Sequence, residues 1–209
     1  DLYALLEPAK EVGGDLYDAI RLPDGQWLVY VADVSGKGIP AALVMSSLWS
    51  RIRSEARRNE EVQKLLTAVN HAMVHLLSKE NFFATILLAK YQPSNGRVQI
   101  ANGGHLAPFI LNKNACTDIT LPRGLPLGIL SDAAFEKTEL HLNPGDSLVF
   151  MTDGVTEARN EDEDLFGQPR LETYFANTDG PPWGRGLVKH MRNWCGKAEA
   201  ADDLTVMEI

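Results

Sequence analysis

Cysteine is nearly missing from this sequence: 209 residues hold two, Cys116 and Cys195. They form no C-x-x-C pair and no disulfide framework, which excludes a disulfide-stapled scaffold and a zinc ribbon and suits a reducing cytoplasm. Each reads as a small apolar residue of the interior. No apolar run is long enough to span a membrane. The chain opens on Asp1 with no initiator Met and no basic-then-apolar leader, so the expectation is a domain excised from a longer regulatory protein. Positive charge is short as well. Twenty Lys and Arg stand against 28 Asp and Glu, a net charge of −8, and such a surface repels a phosphate backbone. General nucleic-acid binding is excluded, and a protein partner is favoured.

What is present is an ordinary globular composition, 44% hydrophobic, with no repeat, low-complexity tract or Pro/Ser linker. One domain over 1–209 follows. Alternating or apolar runs predict strands at 1–6, 16–22, 26–32, 82–91, 97–101, 108–111, 147–151 and 204–209. Pro40 suits a first helical turn, and Ala41, Val44, Met45, Leu48, Trp49 and Ile52 recur at helical spacing. A second apolar stripe runs from Val62 through Leu65, Leu66, Val69, Met73, Leu76 and Leu77, and a later helix pair is expected near 167–177 and 184–195. Turns such as Leu22-Pro23-Asp24-Gly25 join consecutive strands directly, which means antiparallel hairpins. The fold class is α+β, two sheets with helices outside.

Four predicted strand ends carry aspartate: Asp15 and Asp33 beside glycine-rich turns, Asp153 before Gly154, and Asp202-Asp203 before the last strand. If Pro23-Asp24-Gly25 is a three-residue loop, paired numbers sum to 48 and Asp15 faces Asp33. A two-residue loop moves the match to Val34, and a twist or bulge that turns both carboxylates to water is an alternative from the hairpin alone. Opposed like charges destabilise a strand pair unless a cation sits between them. No histidine or cysteine occurs at ligand spacing, so an all-oxygen set selects Mg²⁺ or Mn²⁺. Two such ions would activate water for phosphoester hydrolysis.

Several segments then carry a resemblance: GGDLYD, VADVSGKG, FFATILLA, NGGHLAP, GLPLGI, GDSLVFMTDGVTEARN, LFG and ADDLT, in that order along nearly the whole chain. Each is weak alone, but the set resembles the metal-dependent protein phosphatases of 2C type, in their bacterial SpoIIE/RsbU-like branch. The resemblance implies a layered α/β/β/α sandwich and a centre of two Mn²⁺ or Mg²⁺ ions that dephosphorylates phosphoserine or phosphothreonine. By position, Asp15 and Asp33 bridge both metals, the carbonyl of Val34 binds one, and Asp153 and Asp202 are the remaining carboxylate ligands. Asp203, where the family often has asparagine, and Gly14 are supporting positions. Lys10 stands where many relatives have a phosphate-binding arginine, and a lysine cannot make its bidentate fork. A solvated surface lysine is an equal reading.

Ser35 stands where eukaryotic members have a histidine that protonates the leaving oxygen; serine is a poor general acid, and the resemblance leaves that proton to be supplied by a metal-bound water. His105, in Asn-Gly-Gly-His, reads as a turn residue bonded to backbone. Asp18 points to the face opposite Asp15, which favours a structural hydrogen bond. Lys37 between Gly36 and Gly38 does not make a Walker loop, since Ile39 follows where Ser or Thr is needed. The acidic segment 157–164 reads as a solvated loop.

The resemblance further implies a phosphorylated STAS-type anti-sigma-factor antagonist as substrate and an upstream sensor or receiver domain. It also implies homodimerisation and a cytoplasmic setting, with any membrane tether in another domain. The competing function is a pseudo-phosphatase kept as a protein-binding module. The presence of all four expected aspartates favours the enzyme.

Overall fold

Alternation along the apolar runs sends side chains to two faces, and both faces are used. The computed structural model describes residues 1–58, 61–79, 81–112, 115–178 and 180–209. The chain opens with β1 (Tyr3–Glu7), β2 (Asp15–Arg21) and β3 (Trp27–Val34), then α1 (Ile39–Ala56) and α2 (Val62–Lys79). Next come β4 (Ala84–Gln92), β5 (Arg97–Gly103), β6 (Phe109–Asn112), β7 (Ala115–Asp118), β8 (Lys137–His141) and β9 (Ser147–Met151). It closes with α3 (Gly167–Ala176), α4 (Trp183–Cys195) and β10 (Leu204–Glu208). Among the described residues, two five-stranded antiparallel sheets form, ordered β1-β10-β9-β6-β7 and β2-β3-β4-β5-β8.

Three apolar layers hold these parts together. Leu28, Tyr30, Ala32 and Val34 of β3 pack outward against Ala41, Val44, Leu48 and Ile52 of α1 and the apolar stripe of α2. The alternate residues Val29 and Val31 turn inward with Leu87, Ala89 and Ile100, meeting Leu148, Phe150 and Met207 of the other sheet. That second sheet presents Val149, Met151 and Val206 to Trp183, Leu187 and Met191 of α4 and to Leu171 and Phe175 of α3. This is the layered α/β/β/α sandwich expected. No helix among the described residues is long and apolar enough to cross a membrane.

The β2–β3 hairpin sets the register that matters. The Leu22 N–H donates to the Gln26 carbonyl at 2.8 Å, Gly25 takes a positive φ of 81°, and Asp24 accepts the Gln26 N–H. The loop is therefore the three-residue one, and Asp15 pairs with Asp33.

Two strands carry no clear signal in the sequence. β8 is polar except for Leu140 and lies at a sheet edge, where Glu139 pairs with Arg97 at 2.8 Å and with Lys137 at 2.8 Å. β7 is a four-residue edge strand. Charge pairs and a neighbouring edge, not apolar periodicity, define such strands. Trp49 and Leu76, counted in the helical stripes, are 39% and 38% exposed. Trp49 instead donates its indole N–H to Asp18 at 2.9 Å and lies under the Arg53 guanidinium.

Candidate metal centre

The last inward-facing residue of β3 is Asp33, and the first of β2 is Asp15, so both carboxylates open into the end of the gap between the sheets. Asp15 is 3% exposed. The opposite sheet supplies the rest. β9 ends at Met151 and runs into Thr152-Asp153, while Asp202-Asp203 leads into β10. The Thr152 N–H donates to the Thr205 carbonyl at 3.1 Å, and the Thr205 N–H returns to Thr152 Oγ1 at 3.0 Å. Both hydroxyls then donate to Asp15 Oδ2, Thr152 at 2.8 Å and Thr205 at 2.6 Å. One sheet thereby fixes the orientation of a carboxylate on the other.

Asp203 ties down the connection before β2. It accepts the N–H groups of Ala9 at 2.8 Å and Gly14 at 2.7 Å, with Asp15 N–H at 3.4 Å. Glycine is required for this approach. A Cβ at Gly13 would fall 1.9 Å from Asp203 Oδ2, and one at Gly14 would fall 2.5 Å from the Val34 carbonyl oxygen. A Cβ at Gly154 would lie 1.9 Å from the Asp203 carbonyl oxygen.

The electrostatics follow from burying acids of one sign together. Burial pushes Asp15 up to about 8, against the two threonine hydroxyls, and Asp33 and Asp203 push the same way. Asp33 is pushed up to about 7 by burial first, then by Asp153, Asp202 and Asp203, with Lys37 opposing. Asp153 is raised by burial and by Asp202. Desolvated carboxylates that disfavour each other's charge are stabilised by a bound cation.

The donors available are oxygens of Asp15, Asp33, Asp153 and Asp202 and the Val34 carbonyl beside Gly14, a set that suits hard divalent ions. Among the described residues, no group of three or more His, Cys, Asp or Glu side chains closes into a finished ion cage. Like charges repel, and Asp202 is engaged by Lys37 at 3.0 Å while the threonines hold Asp15. The residues fit such ions by donor chemistry and by charge.

Other candidates fall into place around this cluster. Lys10 is exposed, next to Ala9 at the rim. Ser35 accepts the Phe83 N–H on its Oγ at 2.9 Å, which commits it to the β3–β4 backbone. The His105 ring joins the sheets: Nε2–H donates to the Met151 carbonyl at 3.1 Å, and Nδ1 accepts from Thr85 Oγ1 at 2.7 Å. Burial pushes it down to about 4, so the ring is neutral. Its backbone N–H also donates to Asn102, as a turn residue's would. Asp18 faces α1 and accepts from Tyr30, Trp49 and Arg53. Thr152, Thr205 and Lys37 are the contributors that sequence reasoning missed. The available signal was a threonine closing the apolar run of β9 and another inside β10; both are wholly buried in the fold.

Two antiparallel sheets between helix pairs are the fold of PP2C phosphatase domains. The SiaA-PP2C domain of Pseudomonas aeruginosa superposes with a TM-score of 0.86 at 21% identity, covering 100% of this chain and 85% of that one. The chain belongs to the SpoIIE family: its residues 23–209 match the family described as Stage II sporulation protein E (SpoIIE). Asp15 precedes that matched segment, and its place rests on the β2–β3 register. Protein IcfG of Synechocystis sp. is 29% identical over 83% of this chain and 32% of its own length. The phosphoserine phosphatase RsbU of Bacillus subtilis is 32% identical over 77% of this chain and 48% of its own. This chain thus spans about a third to a half of the curated relatives it matches.

Proposed function

We propose that this chain is a metal-dependent phosphatase of phosphoserine and phosphothreonine in proteins. The observation that carries this is the buried Asp15 directly opposed to the half-buried Asp33, with Asp153 and Asp202 close enough to raise the proton affinity of Asp33. Family membership and the likeness to RsbU support it.

In this reading Asp15, Asp33, Asp153 and Asp202, with the Val34 carbonyl, would hold the Mn²⁺ or Mg²⁺ ions. When bound, such an ion pair supplies an activated water and charge neutralisation for in-line phosphoryl displacement. The protein's own part is positional. Thr152 and Thr205 both use Oδ2 of Asp15, leaving Oδ1 to a ligand. Asp203 and Gly14 bring the start of β2 against the end of β3. Neither Ser35 nor His105 moves a proton, since each is committed to holding backbone together.

The substrate is a phosphorylated STAS-type anti-sigma-factor antagonist in a partner-switching pathway. An upstream sensor or receiver domain controls the activity, with homodimerisation as the means, in the cytoplasm. The test is phosphate release from a serine-phosphorylated STAS domain in Mn²⁺, beside Asp15→Asn. Release by the wild type and none by the variant is expected. Equal release by both overturns the site, and no release from this substrate while p-nitrophenyl phosphate is hydrolysed overturns the substrate.

A further inference from the structure

Lys37 is the cation nearest the acid cluster that the proposed chemistry has not used. Its ammonium stands 3.0 Å from Asp202 Oδ2 and also donates to the Ala201 carbonyl. Among the described residues, this is the sole ion pair made by any of the four aspartates proposed as ligands. Its charge also opposes the raised proton affinity of Asp33 and Asp153, which places it within reach of three of the four. The side chain is 42% exposed, so the pair is a weak one that a divalent ion can displace.

Lys37 lies between two glycines. Its neighbours Gly36 and Gly38 take φ of 89° and 75°, and neither lends a side chain that would pin the loop. The 18-residue helix α1 begins at Ile39, and its N-cap Gly38 makes no side-chain hydrogen bond to the free N–H groups of the first turn. An ammonium beside those N–H groups favours an anion there. Once divalent ions neutralise the carboxylates, Asp202 no longer attracts the ammonium, and the two positive charges repel.

We propose that Lys37 serves the centre twice: without metal it stands on Asp202 in place of a cation, and with metal it turns to receive the oxygens of the substrate phosphoryl group. This rests on the reading of the acid cluster as a phosphatase centre. It assigns to Lys37 the phosphate contact for which Lys10 lies exposed at the rim.

The test uses the chain as it stands and needs no turnover. Calorimetric titration with Mn²⁺ alone is run on the wild type, Lys37→Met, Lys10→Met and Asp33→Asn. Inorganic phosphate is then titrated into each Mn²⁺-saturated protein that binds the ion. Lys37→Met should bind Mn²⁺ at least about threefold more tightly, having lost a competing cation. It should bind phosphate about tenfold more weakly, having lost a charged donor. Lys37→Arg should recover most of the phosphate affinity, and Lys10→Met should leave Mn²⁺ affinity within about twofold. Unchanged or weaker Mn²⁺ binding in Lys37→Met overturns the stand-in role, and unchanged phosphate binding overturns the phosphoryl contact. Either result leaves the centre itself in place provided Asp33→Asn loses Mn²⁺. A wild type that takes up no Mn²⁺ overturns both. If Lys37→Met aggregates, Lys37→Gln removes the same charge and carries the same expectations.

Discussion

Asp15 and Asp33 face each other across the β2–β3 hairpin, each an acid whose burial and neighbours hold its proton well above the ordinary carboxylate range. Strand pairs do not place like charges together without a return, and here the return is a binding site for cations.

Removing that repulsion should stabilise the metal-free protein and destroy its function. Asp15→Asn or Asp33→Asn is expected to raise the melting temperature in EDTA by several degrees and to lower Mn²⁺-dependent turnover at least about a hundredfold. Thermal melts in EDTA beside an assay in Mn²⁺ check both halves. A variant with full turnover contradicts the ligand assignment.

The metal-free protein should lose stability as pH rises. Asp15 titrates near 8 in the folded chain and near its ordinary 3.8 when unfolded, so between these values the folded state keeps a proton that the unfolded state has lost. The contribution of this group is fully present below about pH 4 and is lost up to about pH 8, by at most ~1.4 kcal/mol per pH unit. Melts in EDTA from pH 5 to 8 should show this decline, and Asp15→Asn should flatten it. A melting temperature that rises over the same range contradicts the burial of an uncompensated acid.

The threonines predict a separable effect. Thr152→Val and Thr205→Val each remove one hydrogen bond to Asp15 at nearly constant volume, a loss of about 0.5–1.5 kcal/mol in the metal-free protein near neutral pH, where Asp15 keeps its proton. Mn²⁺ affinity should fall with it, and the serine variants should recover it because the hydroxyl is restored. Calorimetry on Thr205→Val and Thr205→Ser distinguishes a positioned carboxylate from simple packing.

Ser35→Ala should leave turnover within about twofold and cost ~1 kcal/mol of stability, because the Phe83 N–H loses its acceptor. A large fall in turnover with unchanged stability would give Ser35 a chemical role that its hydrogen bond denies it.

How much of this was legible beforehand depends on how local the determinant is. The loop Pro23-Asp24-Gly25 and the alternation of β2 and β3 narrow the register to a few choices countable from sequence, and the three-residue loop seen in the structure selects the one in which Asp15 faces Asp33. Asp153 and Asp202 are visible as acids at the ends of apolar runs. The contacts of Thr152 and Thr205 with Asp15 join residues 137 and 190 positions apart and depend on how the two sheets stack. Periodicity within a strand contains no such information. The Lys37–Asp202 pair has the same character, whereas the helix pair α3 and α4 was foreshadowed within a residue or so by its own spacing. Edge strand β8 escapes the sequence because a mostly polar edge lacks apolar alternation, and β7 because four residues are too few to show any.

The most direct single measurement is hydrolysis of p-nitrophenyl phosphate across a Mn²⁺ titration, wild type beside Asp33→Asn. Phosphate release that rises with Mn²⁺ to saturation, is abolished by EDTA and is absent from Asp33→Asn is the expected result. Hydrolysis that is indifferent to Mn²⁺ and EDTA, or that survives in Asp33→Asn, contradicts a metal-dependent phosphatase built on these aspartates.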